Sequence, residues 1–108
     1  MKEQTYEEFT KMMENKEDNF TLYLYTPLCG TCQVAGKILS ITEELFPSLH
    51  MFKMDLNYSP KLAEDFQVES VPCLLLFQNG QLKERVYAFH SVPFIYEKLN
   101  SFYNRESN

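Results

Sequence analysis

Two short runs of apolar residues limit the possible folds of this chain more than any other feature. Phe20 to Thr26 is rich in β-forming residues and apolar on both faces apart from Thr21, and Val71 to Phe77 is a second continuous apolar run. Side chains alternate across a strand, so a run that is apolar at every position needs cover above and below. Each run therefore predicts a central strand with helices on both faces. At 108 residues the chain is expected to form a single domain with a core of real size, and nine Phe and seven Tyr supply much of its apolar volume, since Trp is absent.

The segments around the two runs supply that cover. Thr5-Tyr6-Glu7-Glu8 reads as a capping box, with Thr5 as N-cap and Glu8 reaching back. Tyr6, Phe9 and Met13 line one face of the helix that follows, and Lys16-Glu17-Asp18-Asn19 ends it in a polar loop. From about Gly30 to Phe46, Ala35, Ile38, Leu39, Leu45 and Phe46 recur at helical spacing, weakened locally by Gly36 and stopped by Pro47. His50 to Asp55 reads as a second strand, with Met51 or Phe52 leading into the core.

Ser59-Pro60 reads as a helix start, Ser as N-cap and Pro at the first helical position, with Leu62, Ala63 and Phe66 buried. Asn79-Gly80 supplies the positive φ angles of a tight hairpin turn. The returning strand, Gln81 to Tyr87, carries Lys83 and Arg85 on one face, as an edge strand does. A last helix starts near Ser91 with Val92, Ile95, Leu99 and Phe102 as its stripe, and the polar tail from Asn104 is expected to fray. The order α-β-α-β-α-β-β-α predicts an α/β fold. It has a mixed four-stranded sheet with helices on both faces, a right-handed crossover joining the first two strands, and a hairpin joining the last two.

Between the first strand and the long helix stand Cys29-Gly30-Thr31-Cys32. Two thiols two residues apart at a strand-to-helix junction can close into a disulfide and reopen without unfolding anything. A helix start aims unpaired N–H groups and the positive end of the helix dipole at Cys29, which favours its thiolate. Cys29 is therefore the expected exposed nucleophile, with Cys32 one turn inward as the resolving thiol. Residues three apart on a helix have Cβ atoms about 5–6 Å apart, and a disulfide needs about 3.5–4.5 Å, so a small adjustment closes the ring. Gly30 and Thr31 keep the turn small, and Thr31 adds a hydroxyl beside the sulfurs. Val71-Pro72 stands at the start of the second apolar strand, where a proline that cannot donate to the ladder is tolerated and a cis bond is plausible.

A net charge of −5 and ten scattered basic residues argue against nucleic acid or anionic membrane as a partner. The N-terminus carries acids early and has no apolar signal region, no run approaches the ~20 residues of a membrane span, and three cysteines do not make a secreted disulfide framework. The expectation is a cytoplasmic monomer in a reducing compartment, where a Cys pair is more often catalytic or metal-binding than structural.

With these pieces in place the chain resembles the thioredoxin family over nearly its whole length. The matching segments are Cys29-Gly30-Thr31-Cys32, Phe52-Lys53-Met54-Asp55, Val71-Pro72-Cys73-Leu74-Leu75-Leu76-Phe77 and Gln78-Asn79-Gly80, in family order and spacing. The resemblance implies a thioredoxin fold with an added N-terminal helix and no bound cofactor. It makes Pro72 the family's cis-proline, with Val71 offering backbone groups to an extended segment of a disulfide-containing protein substrate. It also implies reduction by a flavin-dependent thioredoxin reductase. The chain departs from the family at Leu28 and Thr31, which replace the usual Trp and Pro, and at Tyr23, which replaces a buried acid. Gln33 stands for a basic residue, Lys37 for a helix-kinking proline, and Ala88 for a glycine on the substrate-facing surface. Lys53 keeps the family's lysine and is placed to face the Tyr23 hydroxyl. The family's extra N-terminal strand is missing or vestigial.

The reading is a thiol–disulfide oxidoreductase acting on protein or small-molecule disulfides, slower or more selective than a general thioredoxin because the proton relay is altered. Two alternatives stand beside it: a thioredoxin-fold binding module with little turnover, and a metal or iron–sulfur carrier using Cys29, Cys32 and Cys73. Cys73 is either a third thiol near the pair or a small buried core residue. No second CxxC or His pair completes a metal tetrahedron around Cys29 and Cys32.

Overall fold

Both apolar runs lie at the centre of one sheet. The computed structural model describes residues 1–104, and the expected polar tail, apart from Asn104 at the end of the last helix, lies outside them. Strands β1 (Lys2–Glu3), β2 (Phe20–Tyr25), β3 (Met51–Asp55), β4 (Cys73–Gln78) and β5 (Gln81–Val86) are arranged in the order β1-β3-β2-β4-β5. The helices are α1 (Tyr6–Glu14), α2 (Gly30–Leu45), α3 (Pro60–Asp65) and α4 (Val92–Asn104), with a single 3-10 turn at Leu56–Tyr58. β2 runs parallel to β3 and antiparallel to β4, and β4 and β5 form the antiparallel hairpin, so the thioredoxin fold expected from sequence is present.

One element departs from the four-stranded expectation. β1 adds a fifth strand, parallel to β3, with Lys2 opposite Phe52 and Glu3 opposite Lys53. Two exposed polar residues carry no alternating apolar signal, and the pairing is made by backbone alone along an otherwise open edge. The Met1 ammonium pins this strand by an ion pair to Glu43 at 2.8 Å.

Alternation along the strands sorts the core into two layers. Tyr23, Met51, Leu74, Leu76 and Val86 face α2 and α4, meeting Ala35, Leu39, Ile95, Leu99 and Phe102. Phe20, Leu22, Leu24, Met54, Cys73, Leu75 and Phe77 face the layer that contains Phe9 of α1 and Leu62 of α3. In that second layer Phe77 is fully buried. It stacks on Phe20 at 4.9 Å and meets Phe9 and Phe66 edge-on at 5.3 and 5.4 Å.

The local signals mostly act as expected. Thr5 and Glu8 close both bonds of the capping box, at 2.9 and 3.0 Å. Ser91 caps α4 by accepting the Phe94 N–H at 3.2 Å. Asn79 and Gly80 adopt φ of 53° and 78°, and a Cβ on Gly80 would come within 3.0 Å of the Met13 carbonyl, so glycine is required there twice over. Met51 is the buried residue at the start of β3, and Phe52 packs partly on the opposite layer. Two readings need correction. Pro60 does open α3, but the Ser59 hydroxyl makes no cap bond because Ser59 is held at φ −143°, ψ 59° by the preceding 3-10 turn. Leu45, placed on the buried stripe from its spacing, is the last residue of α2 and is 57% exposed.

Gly36 sits inside α2 with no conformational need for glycine. Its φ is not positive, and a Cβ there would meet the Tyr23 ring and hydroxyl at 3.8 Å, an ordinary contact. Gly36→Ala should therefore raise stability by about 0.5–1 kcal/mol through the unfolded state, read as a higher urea midpoint at unchanged slope.

Candidate functional site

The Cys pair occupies the carboxyl end of β2, beside the point where the sheet changes from a parallel to an antiparallel neighbour. Open α/β sheets place their sites at such a switch. β2 ends at Tyr25, and Thr26-Pro27-Leu28 carries the chain to Cys29, the N-cap of α2 with extended φ and ψ. Cys29 and Cys32 are joined by a disulfide with Cα atoms 5.1 Å apart, well within the range that a bridge spans. The Cys29 sulfur accepts the Cys32 N–H at 3.1 Å, the helix-start contact expected of an N-cap, and lies 3.4 Å from the Thr31 hydroxyl. Cys29 is partly exposed and Cys32 is buried, as the one-turn offset requires. A Cβ at Gly30 would meet nothing within 4 Å, so the turn between the cysteines faces open space.

Behind the pair stands Tyr23. Its hydroxyl donates to the Cys32 carbonyl at 2.5 Å, and its ring stacks on Tyr25 and meets Phe89 edge-on. Lys53 is not aimed at that hydroxyl: its ammonium stands 5.7 Å from the Tyr25 ring centroid, a cation–π placement. The Tyr25 hydroxyl in turn donates to Glu3 at 2.8 Å. Burial pushes the Tyr23 hydroxyl up to about 12, and burial followed by the bond to Glu3 raises Tyr25 further.

Folded Tyr23 thus holds its proton more tightly than the unfolded chain, where tyrosine titrates near 10. Its share of stability is complete below pH about 10 and is lost as pH climbs toward about 12. The stability advantage of the natural chain over Tyr23→Phe, about 1 kcal/mol for one buried hydrogen bond at neutral pH, should therefore narrow across that interval. Urea midpoints for the two proteins at pH 8, 10 and 11.5 would measure it.

On the other side of the pair, Val71-Pro72 is a cis peptide. A cavity of about 430 Å³ runs from Pro72 and Val71 past Val34 and Ile38 to Phe89 and His90. Leu28, next to Cys29, is 100% exposed and Val34, two residues past Cys32, is 62% exposed, so apolar surface flanks the pair in the chain. Val34 was legible as a surface position, since it falls off the Ala35-Ile38-Leu39 stripe. No sequence signal pointed to the bond between Tyr23 and the Cys32 carbonyl.

Cys73 is not brought to the pair. It lies opposite Leu24 in the layer facing α1 and α3, whereas Cys32 belongs to the helix on the other face, so the sheet stands between them. Burial pushes its thiol up to about 11. Among the described residues, no three His, Cys, Asp or Glu side chains are grouped so as to hold a metal ion.

The Thioredoxin family model matches residues 1–99. The chain belongs to the thioredoxin family. Among its relatives is the thioredoxin-like protein YusE of Bacillus subtilis, 51% identical over 84 residues that span 78% of this chain and 79% of that protein. Chloroplastic thioredoxin Y2 of Arabidopsis thaliana is 32% identical over 85 residues, and this chain spans about half of it (51%). The solved structure of a mutant thioredoxin from Halobacterium salinarum superimposes with a TM-score of 0.79 at 22% identity, over 94% of this chain and 88% of that one. Family membership together with the closely spaced Cys pair points to thiol–disulfide oxidoreductase chemistry as the class of activity of this thioredoxin-family protein. No helix among its described residues is long and apolar enough to cross a membrane.

Proposed function

We propose that this thioredoxin-family protein reduces disulfides of protein substrates, and of small molecules, with Cys29 as nucleophile and Cys32 as resolving thiol. The observation that carries the reading is the N-cap geometry, in which the Cys29 sulfur takes a backbone N–H at the positive end of α2 while remaining partly exposed. A thiolate at that place is stabilised by the same N–H and by the helix dipole. Thr31 gives it a hydroxyl neighbour.

The cycle balances without a bound cofactor. The Cys29 thiolate attacks one sulfur of a substrate disulfide, that S–S bond breaks, and the leaving thiolate takes up a proton. The Cys32 thiol then loses its proton and attacks the Cys29 sulfur, forming the Cys29–Cys32 bond and releasing the second substrate thiolate, which is protonated in turn. Two electrons pass from the pair to the substrate. Val71 and Pro72 line the groove in which an extended substrate segment would lie. Tyr23 holds the Cys32 carbonyl in place of the family's acid, and Lys53 stands behind it. With no carboxylate at position 23 to take the Cys32 proton, turnover is slower than in a general thioredoxin. A thioredoxin reductase of the flavin-dependent class, acting in the cytoplasm, would return the pair to the dithiol.

A redox titration read by intact mass after alkylation tests the proposal. A reversible two-electron transition of the natural chain, lost in Cys29→Ser, is the expected result. A pair that stays oxidised at every glutathione ratio, or that reduces insulin no faster than free dithiothreitol, would sink it.

A further inference from the structure

The groove beside the cis-proline is not the only one that borders the Cys29–Cys32 turn. A second and larger cavity, about 640 Å³, opens on the opposite flank of α2, over the ends of β2 and β3. That volume falls in the range of small-ligand sites. Its walls are the stacked rings of Tyr23 and Tyr25 together with Ile41, and Cys32 lies at its inner end. Two lysines line it beside Met1, Lys37 from α2 and Lys53 from β3. Among the described residues neither is in an ion pair.

In a chain of net charge −5 the lining of this groove carries two lysines and no carboxylate. Three carboxylates stand near this end of the sheet, each held by a bond of its own. Glu3 accepts from the Tyr25 hydroxyl, Glu43 pairs with the Met1 ammonium, and Asp55 accepts the Asn57 N–H. None of the three lines the groove.

Gly36 supplies the second observation. It lines the same groove from the middle of α2, where glycine weakens the helix. Neither its backbone angle nor the packing around it requires the missing side chain, since a Cβ would make only 3.8 Å contacts. A side chain longer than a methyl would project toward Tyr23 and fill the groove. What glycine provides here is space.

We propose that this groove binds a small amphipathic organic anion, with its aromatic or apolar body between Tyr23, Tyr25 and Ile41 and its carboxylate between Lys37 and Lys53. The site is separate from the Val71–Pro72 groove and does not depend on the redox reading. Its occupant sits against the residue that holds the Cys32 carbonyl.

The probe is 2-naphthoate, added to the oxidised protein and followed by amide chemical shifts, with neutral 2-naphthamide as the comparison. Shifts should centre on Gly36, Lys37, Cys32 and Lys53, with a dissociation constant on the order of 1 mM or tighter, as expected for so small a ligand. The amide should bind at least about fivefold more weakly, because it lacks the charge that the two lysines attract. Gly36→Leu should abolish binding. Since that variant could fold poorly, the exposed Lys37→Glu is the second test, with an expected loss of at least about fivefold. Equal binding of naphthoate and naphthamide, shifts centred on Val71 and His90, or no shift at Gly36 up to about 10 mM would each overturn the proposal.

Discussion

Reduced Cys32→Ser protein passed through a mixture of disulfide-containing proteins should emerge covalently joined to them through Cys29. Attack by Cys29 needs only the helix start and the partly exposed sulfur, both of which the substitution leaves in place. Release needs a second thiol beside the first, and Ser at position 32 has none. Release of the mixed disulfide should slow by at least about a hundredfold, judged from the losses that follow removal of one member of a coupled nucleophilic unit. Cys29→Ser should form no adducts, and its insulin reduction should fall to the background without enzyme. Non-reducing gels and peptide mapping of the adducts decide the matter. Adducts formed through Cys73 instead would refute the assignment of the nucleophile.

The largest effect on stability is expected at the far end of β4. Phe77→Ala removes the fully buried ring against which Phe9, Phe20 and Phe66 all pack. The loss should be about 3–5 kcal/mol, transfer plus cavity. A domain of this size has about 5–15 kcal/mol in all, so the melting temperature should drop on the order of 20 °C. Leu45→Ala is the control. Leu45 is of similar hydrophobicity but 57% exposed, and its removal should stay within about 0.5 kcal/mol. If the two variants melt alike, the four-ring cluster does not hold the layer together.

What could be read from the sequence was whatever is encoded over a few residues. The capping box at Thr5 and Glu8, the Asn79-Gly80 turn and the two fully apolar strands are local patterns, and together with the hairpin they leave few ways to assemble the sheet. The Cys29–Cys32 geometry was legible for the same reason, since both residues belong to one helical turn. Features that depend on distant chain segments were not legible. The Lys2–Glu3 strand is backbone pairing along an edge, which leaves no trace in side-chain periodicity. The ammonium of Lys53 lies over the Tyr25 ring, and the Tyr23 hydroxyl donates to a carbonyl nine residues along the chain, two contacts that no local pattern encodes. The open flank of α2 depends on a glycine, a lysine and a neighbouring strand, none of which signals a cavity alone.

The placement of Cys73 has a practical consequence. Three cysteines allow three pairings, yet while the sheet is intact only Cys29 with Cys32 is within reach. Any bond between Cys73 and either member of the pair must then have formed while the sheet was open. Such a bond, once formed, outlasts the event that allowed it. A peptide map of an aged or heated sample therefore serves as a tally of past unfolding, because a molecule that carries such a bond cannot close its sheet again and stays marked.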